Sequence, residues 1–375
     1  MQDRRHSEPE SAGIGESRLA QDIDAMSRKL SEFTPSEMDS LRSMSNLGAE
    51  TDITHSSVRL LIALLQLLEA PHAPLLDDKT LNLFSRIVDQ LENYLPLLVN
   101  RRDYLPASQV LSALRRPMAP GFSPRISAAM KKAADRSMIA RLVDELRMFA
   151  GDSPEYQVVY SYLSMIEGEV TPILLELLAT EEDRSVRTLL SRILKDLGKN
   201  QIALIGERLS DERWYFVRNI VAILGESKNE EVVSYLEKVA RHKNFQIRHE
   251  VVKALVAIEG RKSADLMATF LHDDDIDIRF MAIRGMGAQA KAGEGGERAL
   301  IHYLRGVRET EANTELKKEA IESLGRIGGT EASRFLAGYL KRRWWKSRKP
   351  QEEVRAAAEQ AIREIERRRN GEGRV

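Results

Sequence analysis

The chain has 375 residues, a length that suits two or three ordinary domains or one elongated array. Its 57 lysines and arginines balance 57 aspartates and glutamates, so no uniform basic field exists to attract nucleic acid or anionic lipid, and any polyanion site must be local. The absence of cysteine excludes disulfides and thiolate metal sites, and aromatics at 6% leave an interior of Leu, Ile, Val, Ala and Met.

Residues 1–17 are polar without an apolar core, which reads as a disordered tail rather than a secretory signal. Residues 18–150 carry apolar residues at helical spacing, with a helix broken at Pro35 and further helices expected over 56–70, 79–95, 108–116 and 125–149. They read as irregular helical repeats that continue into the array that follows. The most apolar stretch, 58–70, contains Arg59, Gln66 and Glu69 and is well short of the ~20 residues that cross a bilayer. It is a buried helix, and a cytoplasmic protein is expected. Three prolines and a glycine in 115–124 cannot continue a helix and mark an internal joint.

From residue 151 to 370 one unit recurs: a cap residue, a β-branched or Leu residue three positions on, a basic anchor, then an apolar helical pattern ending at or near Gly. It appears as DRSVRTLLSRILKDLG from Asp183, RWYFVRNIVAILG from Arg213 and NFQIRHEVVKALVAIEG from Asn244. It continues as DIDIRFMAIRGMG from Asp275, NTELKKEAIESLG from Asn313 and EEVRAAAEQAI from Glu352. The anchors Arg187, Arg218, Arg248, Arg279, Lys317 and Arg355 are spaced by 31, 30, 31, 38 and 38 residues, and a degenerate copy places Gln157 another 30 before Arg187. Seven units result, followed by a tail over 371–375.

A second apolar stripe precedes each anchor helix, so each unit is a helical hairpin. Ser153, Asp183, Asn244, Asp275 and Asn313 stand where a side chain caps the second helix. One unit has Trp214 where the others carry a cap, and Asp211 is expected to serve there instead. The two 38-residue spacings put extra residues into the turns GVRETEAN and KRRWWKSRKP. A hairpin of this size cannot bury its own stripe, so neighbours must stack on a shared core. The expected fold is all-α, a right-handed α-solenoid of stacked hairpins.

The D-x-x-V-R…L-G pattern resembles the HEAT repeats of bacterial proteins, the short variety also found in the phycobilin-lyase-like group, over 155–369. DERWYFVRNIVAILG, 211–225, is the stretch most similar to a recurrent HEAT unit. The resemblance implies a HEAT/armadillo-like superhelix whose second helices form a concave face, and it says almost nothing about function.

The anchors read as a ladder of hydrogen bonds to the caps of their own or adjacent repeats rather than as a site. His249-Glu250 is similar to the His-Glu pairs of HEAT-like iron hydroxylases, but only one such pair exists, and the acids beside His272 read as helix caps. No metal or cofactor is expected. Phosphate-loop and nucleophile-elbow motifs are absent, so a non-enzymatic protein is expected. Trp214, Tyr215, Asp211 and Arg218 superficially resemble the aromatic and acidic set of HEAT-like DNA glycosylases, although Trp214 at a helix start reads better as filler between hairpins.

Basic residues interleave with two tryptophans over 341–349, where Arg342, Arg343, Trp344 and Trp345 suit an acidic partner, a polyanion or the closed end of the core. On the second-helix face, Arg192, Lys195, His249, Lys253 and Arg284 are the residues least needed for packing. Together with Trp214 and Tyr215 they are candidates for binding a protein, most simply an acidic or amphipathic segment. The function expected is a scaffold or adaptor. Nucleic-acid binding or repair is the alternative, and a chromophore lyase a second one that rests on the repeat resemblance alone.

Overall fold

The computed structural model describes residues 55–66, 78–116, 123–289, 293–308, 310, 313–341 and 349–372. The tail 1–17, the helix at Pro35 and the segment 342–348 lie outside the described residues. Among those described, all regular structure is helical. They form two compact units, Met1–Leu174 and Leu175–Val375.

In the first unit the helices are α1 (His55–Gln66), α2 (Asp78–Asn100), α3 (Tyr104–Leu114), α4 (Ser123–Ala133), α5 (Arg136–Met148) and α6 (Pro154–Met165). Helices α1 and α3 pack together and α3 packs on α6, while α2 lies against α4. Helix α2 runs straight through Pro96, where the sequence suggested a stop. Pro96 faces solvent, and Leu91, Leu95, Leu98 and Val99 are almost wholly buried around it, so packing on the far side outweighs the missing backbone bond. The stretch 125–149 is two helices rather than one. The chain breaks at Asp135, whose carboxylate accepts hydrogen bonds from the Ser137 and Met138 amides and starts α5. Buried Glu92 of α2 is clamped by Arg125 and Lys132 of α4 and fixes the two helices against each other.

The boundary between units falls inside α7 (Glu167–Thr180). The second unit continues with α8 (Arg184–Leu197), α9 (Ile202–Gly206), α10 (Trp214–Glu226), α11 (Val233–Glu237), α12 (Phe245–Ile258) and α13 (Arg261–Ala268). Then come α14 (Ile276–Ala288), α15 (Gly293–Gly306), α16 (Thr314–Ile327), α17 (Thr330–Leu340) and α18 (Lys349–Glu372). The even-numbered second helices α8 to α18 contact one another in succession, and the first helices α11, α13, α15 and α17 do likewise. This is a two-layer stack of hairpins, an α-solenoid. Helix α8 shows why: Val186, Leu189, Leu190, Ile193, Leu194 and Leu197 recur at three- and four-residue intervals and are all buried. Each of the fully buried ones contributes about 1.5–3 kcal/mol.

Repeat length sets the shape of the first helix. In the 30- and 31-residue units, second helices of 13 or 14 residues leave room for only five to eight residues of α9, α11 and α13, and 3-10 turns at 207–210 and 269–272 complete two of them. In the 38-residue units the extra residues lengthen α15 and α17 to 14 and 11 residues, so they do not all enter the turns.

Ser153, Asp183, Asn244 and Asp275 cap as expected, each accepting from amides two or three residues on. Asn313 does not; its amide instead donates to the Arg308 carbonyl. Asp211 does not cap α10 either, because its carboxylate binds the Arg213 backbone and guanidinium.

Three of the glycines that close the repeat pattern, Gly225, Gly287 and Gly325, are contact points inside helices. A Cβ on Gly225 would lie 2.7 Å from Ala254 Cβ, one on Gly287 2.6 Å from Ser323 Cβ, and one on Gly325 3.0 Å from Ala361 Cβ. Small residues thus allow α10 and α12, α14 and α16, and α16 and α18 to approach closely. Gly225→Ala is expected to cost about 1–3 kcal/mol through overpacking. Gly168→Ala, in α7 where nothing lies within 4 Å, is expected to stabilise by about 0.4–1 kcal/mol. Thermal unfolding of the two variants checks the pair, and a harmless Gly225→Ala would refute the close approach.

Candidate functional site

The anchors occupy the turn between the first and second helices, where carbonyls at the end of one helix have no partner of their own. Arg187 donates to the carbonyls of Glu181 (3.1 Å) and Glu182 (2.6 Å). Arg248 donates to those of His242 (2.9 Å) and Lys243 (3.3 Å) and also grips Asp273 of the next turn through two bonds of 2.8 and 2.9 Å. A guanidinium fork can satisfy carbonyls and a carboxylate together, which an ammonium cannot do with the same geometry. Burial pushes the Asp273 carboxyl up, but the bonds from Arg248 outweigh it and hold it below the usual carboxylate range.

The remaining anchors depart from this pattern. In the unit of α10, Arg213 performs the turn role by donating to the Ala179 carbonyl (2.8 Å), and Arg218 reaches sideways to Glu250 of α12 (3.3 Å). The Arg279 Nε is buried without a hydrogen-bond partner, Lys317 is buried, and Arg355 pairs with Glu359 one turn along its own helix (3.1 Å). Two carboxylates cap first helices of the following repeat and carried no sequence signal: Glu230 accepts from the Lys262 amide, and Glu297 from those of Gly329 and Ala332.

A second ladder crosses the face made by the second helices. Lys195 of α8 pairs with Glu226 of α10 (3.0 Å). Buried Glu250 accepts from Arg218 and Lys253 (both 3.3 Å), and buried Glu319 of α16 from Arg284 of α14 (3.1 Å) and Arg326 (2.8 Å). Arg284 also lies over the Phe280 ring, 4.7 Å from its centroid. For Glu319, burial acts to raise the pKa and the two arginines overcome it, leaving the group below its ordinary value. Lys253 and Arg284 therefore neutralise buried carboxylates, a packing duty that the sequence did not reveal. Half-buried His249 stands beside Glu250, whose carboxylate is committed to cations; no group of three potential metal ligands occurs among the described residues.

The exposed features are of two kinds. Trp214, Phe245 and Ile276 are 42%, 53% and 46% exposed, and they are the first residues of α10, α12 and α14, 31 positions apart. Trp214 fills no gap between hairpins; Phe216 does so, with the Arg213 guanidinium over its ring. Trp214 meets Tyr215 edge-on at 6.2 Å, and the Tyr215 hydroxyl donates to the Ala179 carbonyl (3.3 Å), which fixes both rings. The sequence singled out Trp214 and Tyr215 but missed Phe245 and Ile276, which the apolar residue directly after each cap would have revealed. Separately, a cleft of about 450 Å³ lies between α8 and α10, and Arg192 and Lys195 are among its walls. Arg342, Arg343, Trp344 and Trp345 lie outside the described residues.

The features so far define a stack of helical hairpins, an α-solenoid, and residues 202–287 match the family model for HEAT repeats. No curated protein matches the chain. Among solved structures, an engineered protein is 15% identical with a TM-score of 0.34, covering 85% of this chain and 86% of its own. Human deoxyhypusine hydroxylase is 17% identical at a TM-score of 0.31, covering 76% of this chain and 97% of its own. The Pds5–Scc1 complex matches at 11% identity and a TM-score of 0.41, covering 90% of this chain, which spans 63% of that one.

Arg248→Met leaves Asp273 buried without its cation and is expected to lower stability by about 3 kcal/mol at pH 7. A carboxyl held low contributes stability that is present above the usual carboxylate range and lost as pH falls through its folded pKa. The deficit of the variant should therefore shrink as pH drops below about 4. Urea unfolding at both pH values checks this, and a deficit independent of pH would rule out Asp273 ionisation as its cause.

Proposed function

We propose that the protein is a non-enzymatic, cytoplasmic scaffold that binds another protein along the edge and face formed by its second helices. The observation that carries this is the row Trp214, Phe245 and Ile276. Single exposed apolar residues are ordinary on any surface, but large ones at the same register of three successive repeats form a stripe that burial in a partner would stabilise. Aromatic anchors of this kind dominate protein interfaces because they bury much area for little rotamer entropy.

The inter-helix pairs support the same reading. Lys195–Glu226, Arg218–Glu250 and Arg284–Glu319 hold charged side chains in place before any partner arrives, which lowers the ordering cost of binding. An acidic or amphipathic segment suits a face that sets cations beside an apolar row.

A photo-crosslinking residue in place of Phe245 should yield protein adducts in cells, whereas one at exposed Glu237 of α11 should not. Changing Trp214, Phe245 and Ile276 together to Ser should abolish the adducts formed from a crosslinker at Asn219 while moving the thermal midpoint little, since exposed positions cost within about 0.5 kcal/mol each. Equal adducts at Glu237, adducts to nucleic acid, or adducts that survive the triple change would refute the assignment.

A further inference from the structure

The turns that lead into α10, α12 and α14 are copies of one another. Their N-cap residues Arg213, Asn244 and Asp275 hold φ and ψ of −79° and 99°, −81° and 119°, and −83° and 127°, so the residues that flank these caps stand in equivalent places. After each cap comes Trp214, Phe245 or Ile276, and before each comes an exposed charge, Glu212, Lys243 or Asp274. Beside the apolar row therefore runs a second row, of sign minus, plus, minus. The apolar row ends after three repeats. On one side the equivalent turn of α8 carries Arg184 after its cap, and on the other Asn313 adopts a different conformation, φ −92° and ψ −2°, with Thr314 after it.

The fold accounts for only part of the charge row. An acid ahead of a helix is favoured by the helix dipole, which explains Glu212 and Asp274, but Lys243 stands at the same place against it. Among the described residues no ion pair or side-chain hydrogen bond holds Glu212, Lys243 or Asp274; Asp211 and Asp273 take up the nearby Arg213 and Arg248 instead. Asp274 acts on Arg248 through its field alone. Exposed Arg241 and Asp277 repeat the sign of their own turns. The edge thus presents an alternating potential with the period of the repeat, alongside apolar side chains of the same period.

That period selects the shape of an occupant. Helices α10 and α12 approach through Gly225 and Ala254, and α12 and α14 through Val256 and Gly285, so successive anchors are set by a helix spacing of about 8–10 Å. An α-helix returns to one face after seven residues, about 10.5 Å, and drifts by about 20° each time. A β-strand returns every two residues, about 6.6–6.8 Å. A polyproline II helix has three residues per turn and advances about 9.3 Å in that turn, so every third side chain meets the next repeat. Such a segment is already extended before it binds, and aromatic-lined surfaces recognise it at low ordering cost. Resting on the scaffold reading above, we propose that the edge over α10, α12 and α14 receives a polyproline II segment of about seven to nine residues from the bound protein, with an apolar residue, proline foremost, at every third position and a basic, acidic, basic row beside them.

The test uses the full-length protein and fluorescein-labelled peptides of about nine residues, with fluorescence anisotropy as readout. Proline stands at every third position, and the charged positions read Lys, Glu, Lys in one set and Glu, Lys, Glu in the other, each made with the charge directly before and directly after the proline. The Lys, Glu, Lys set should bind roughly tenfold more tightly. Glu212→Lys, Lys243→Glu and Asp274→Lys together should reverse that preference, a gain that a misfolded variant cannot show. Trp214→Ser with Phe245→Ser should abolish binding of both sets. Equal affinity for the two charge orders, a preference that survives the triple reversal, tighter binding of a helical peptide with the same side chains at every seventh position, or no binding of either set overturns the proposal. The crosslinking experiment separates the two readings. Adducts at Phe245 without binding of any peptide leave the scaffold standing and remove the polyproline site, whereas loss of both removes the scaffold as well.

Discussion

Contact between successive second helices is the constraint on which the second unit depends. A hairpin whose first helix is only five residues long cannot enclose the apolar stripe of its 13-residue companion, so the next repeat has to cover it. Close approach of the helix backbones makes that cover effective, and it requires Gly225, Gly287 and Gly325 facing Ala254, Ser323 and Ala361. Shortening the repeat to 30 or 31 residues shortens the first helices, and the load shifts further onto this seam.

Drawing helices together also brings polar groups into places that water does not reach. The turn carbonyls before each second helix and the carboxylates of Glu250, Asp273 and Glu319 would each be costly if left unpaired. The chain meets this with arginines in two settings: Arg187, Arg213 and Arg248 in the turns, and Arg218 and Arg284 across the face. Several charged side chains of the second unit are thereby tied to one another across the stack. Among the described residues of the second unit, Trp214, Phe245 and Ile276 are the large apolar side chains that stay exposed against that background.

The repeat pattern made the hairpins, their order and most caps legible, because helix periodicity and N-cap chemistry are local properties of a few neighbouring residues. Asp183 and Asp275 show the strength of that reading, and Asn313 its limit, since an Asn before a helix can turn to another carbonyl when the preceding loop is long. Arg192 and Lys195 do line a cleft, but Lys253 and Arg284, chosen as dispensable for packing, are counterions to carboxylates, one of them 35 residues away in the chain. Phe245 and Ile276 were overlooked because a single apolar residue after a cap looks like the start of the buried stripe.

What the sequence by itself determined was the repeating unit: helical period, cap, anchor and the need to stack, all of which follow from residues within one turn or one hairpin. Tertiary structure decided which charges are cancelled and which remain. Whether an arginine meets a carbonyl of its own turn, a carboxylate of the next repeat or an open cleft depends on the distance between stacked helices, a quantity set by side chains some 30 residues apart and written in no local pattern. The same distance determines which apolar side chains are covered and which, like Trp214, remain for a partner.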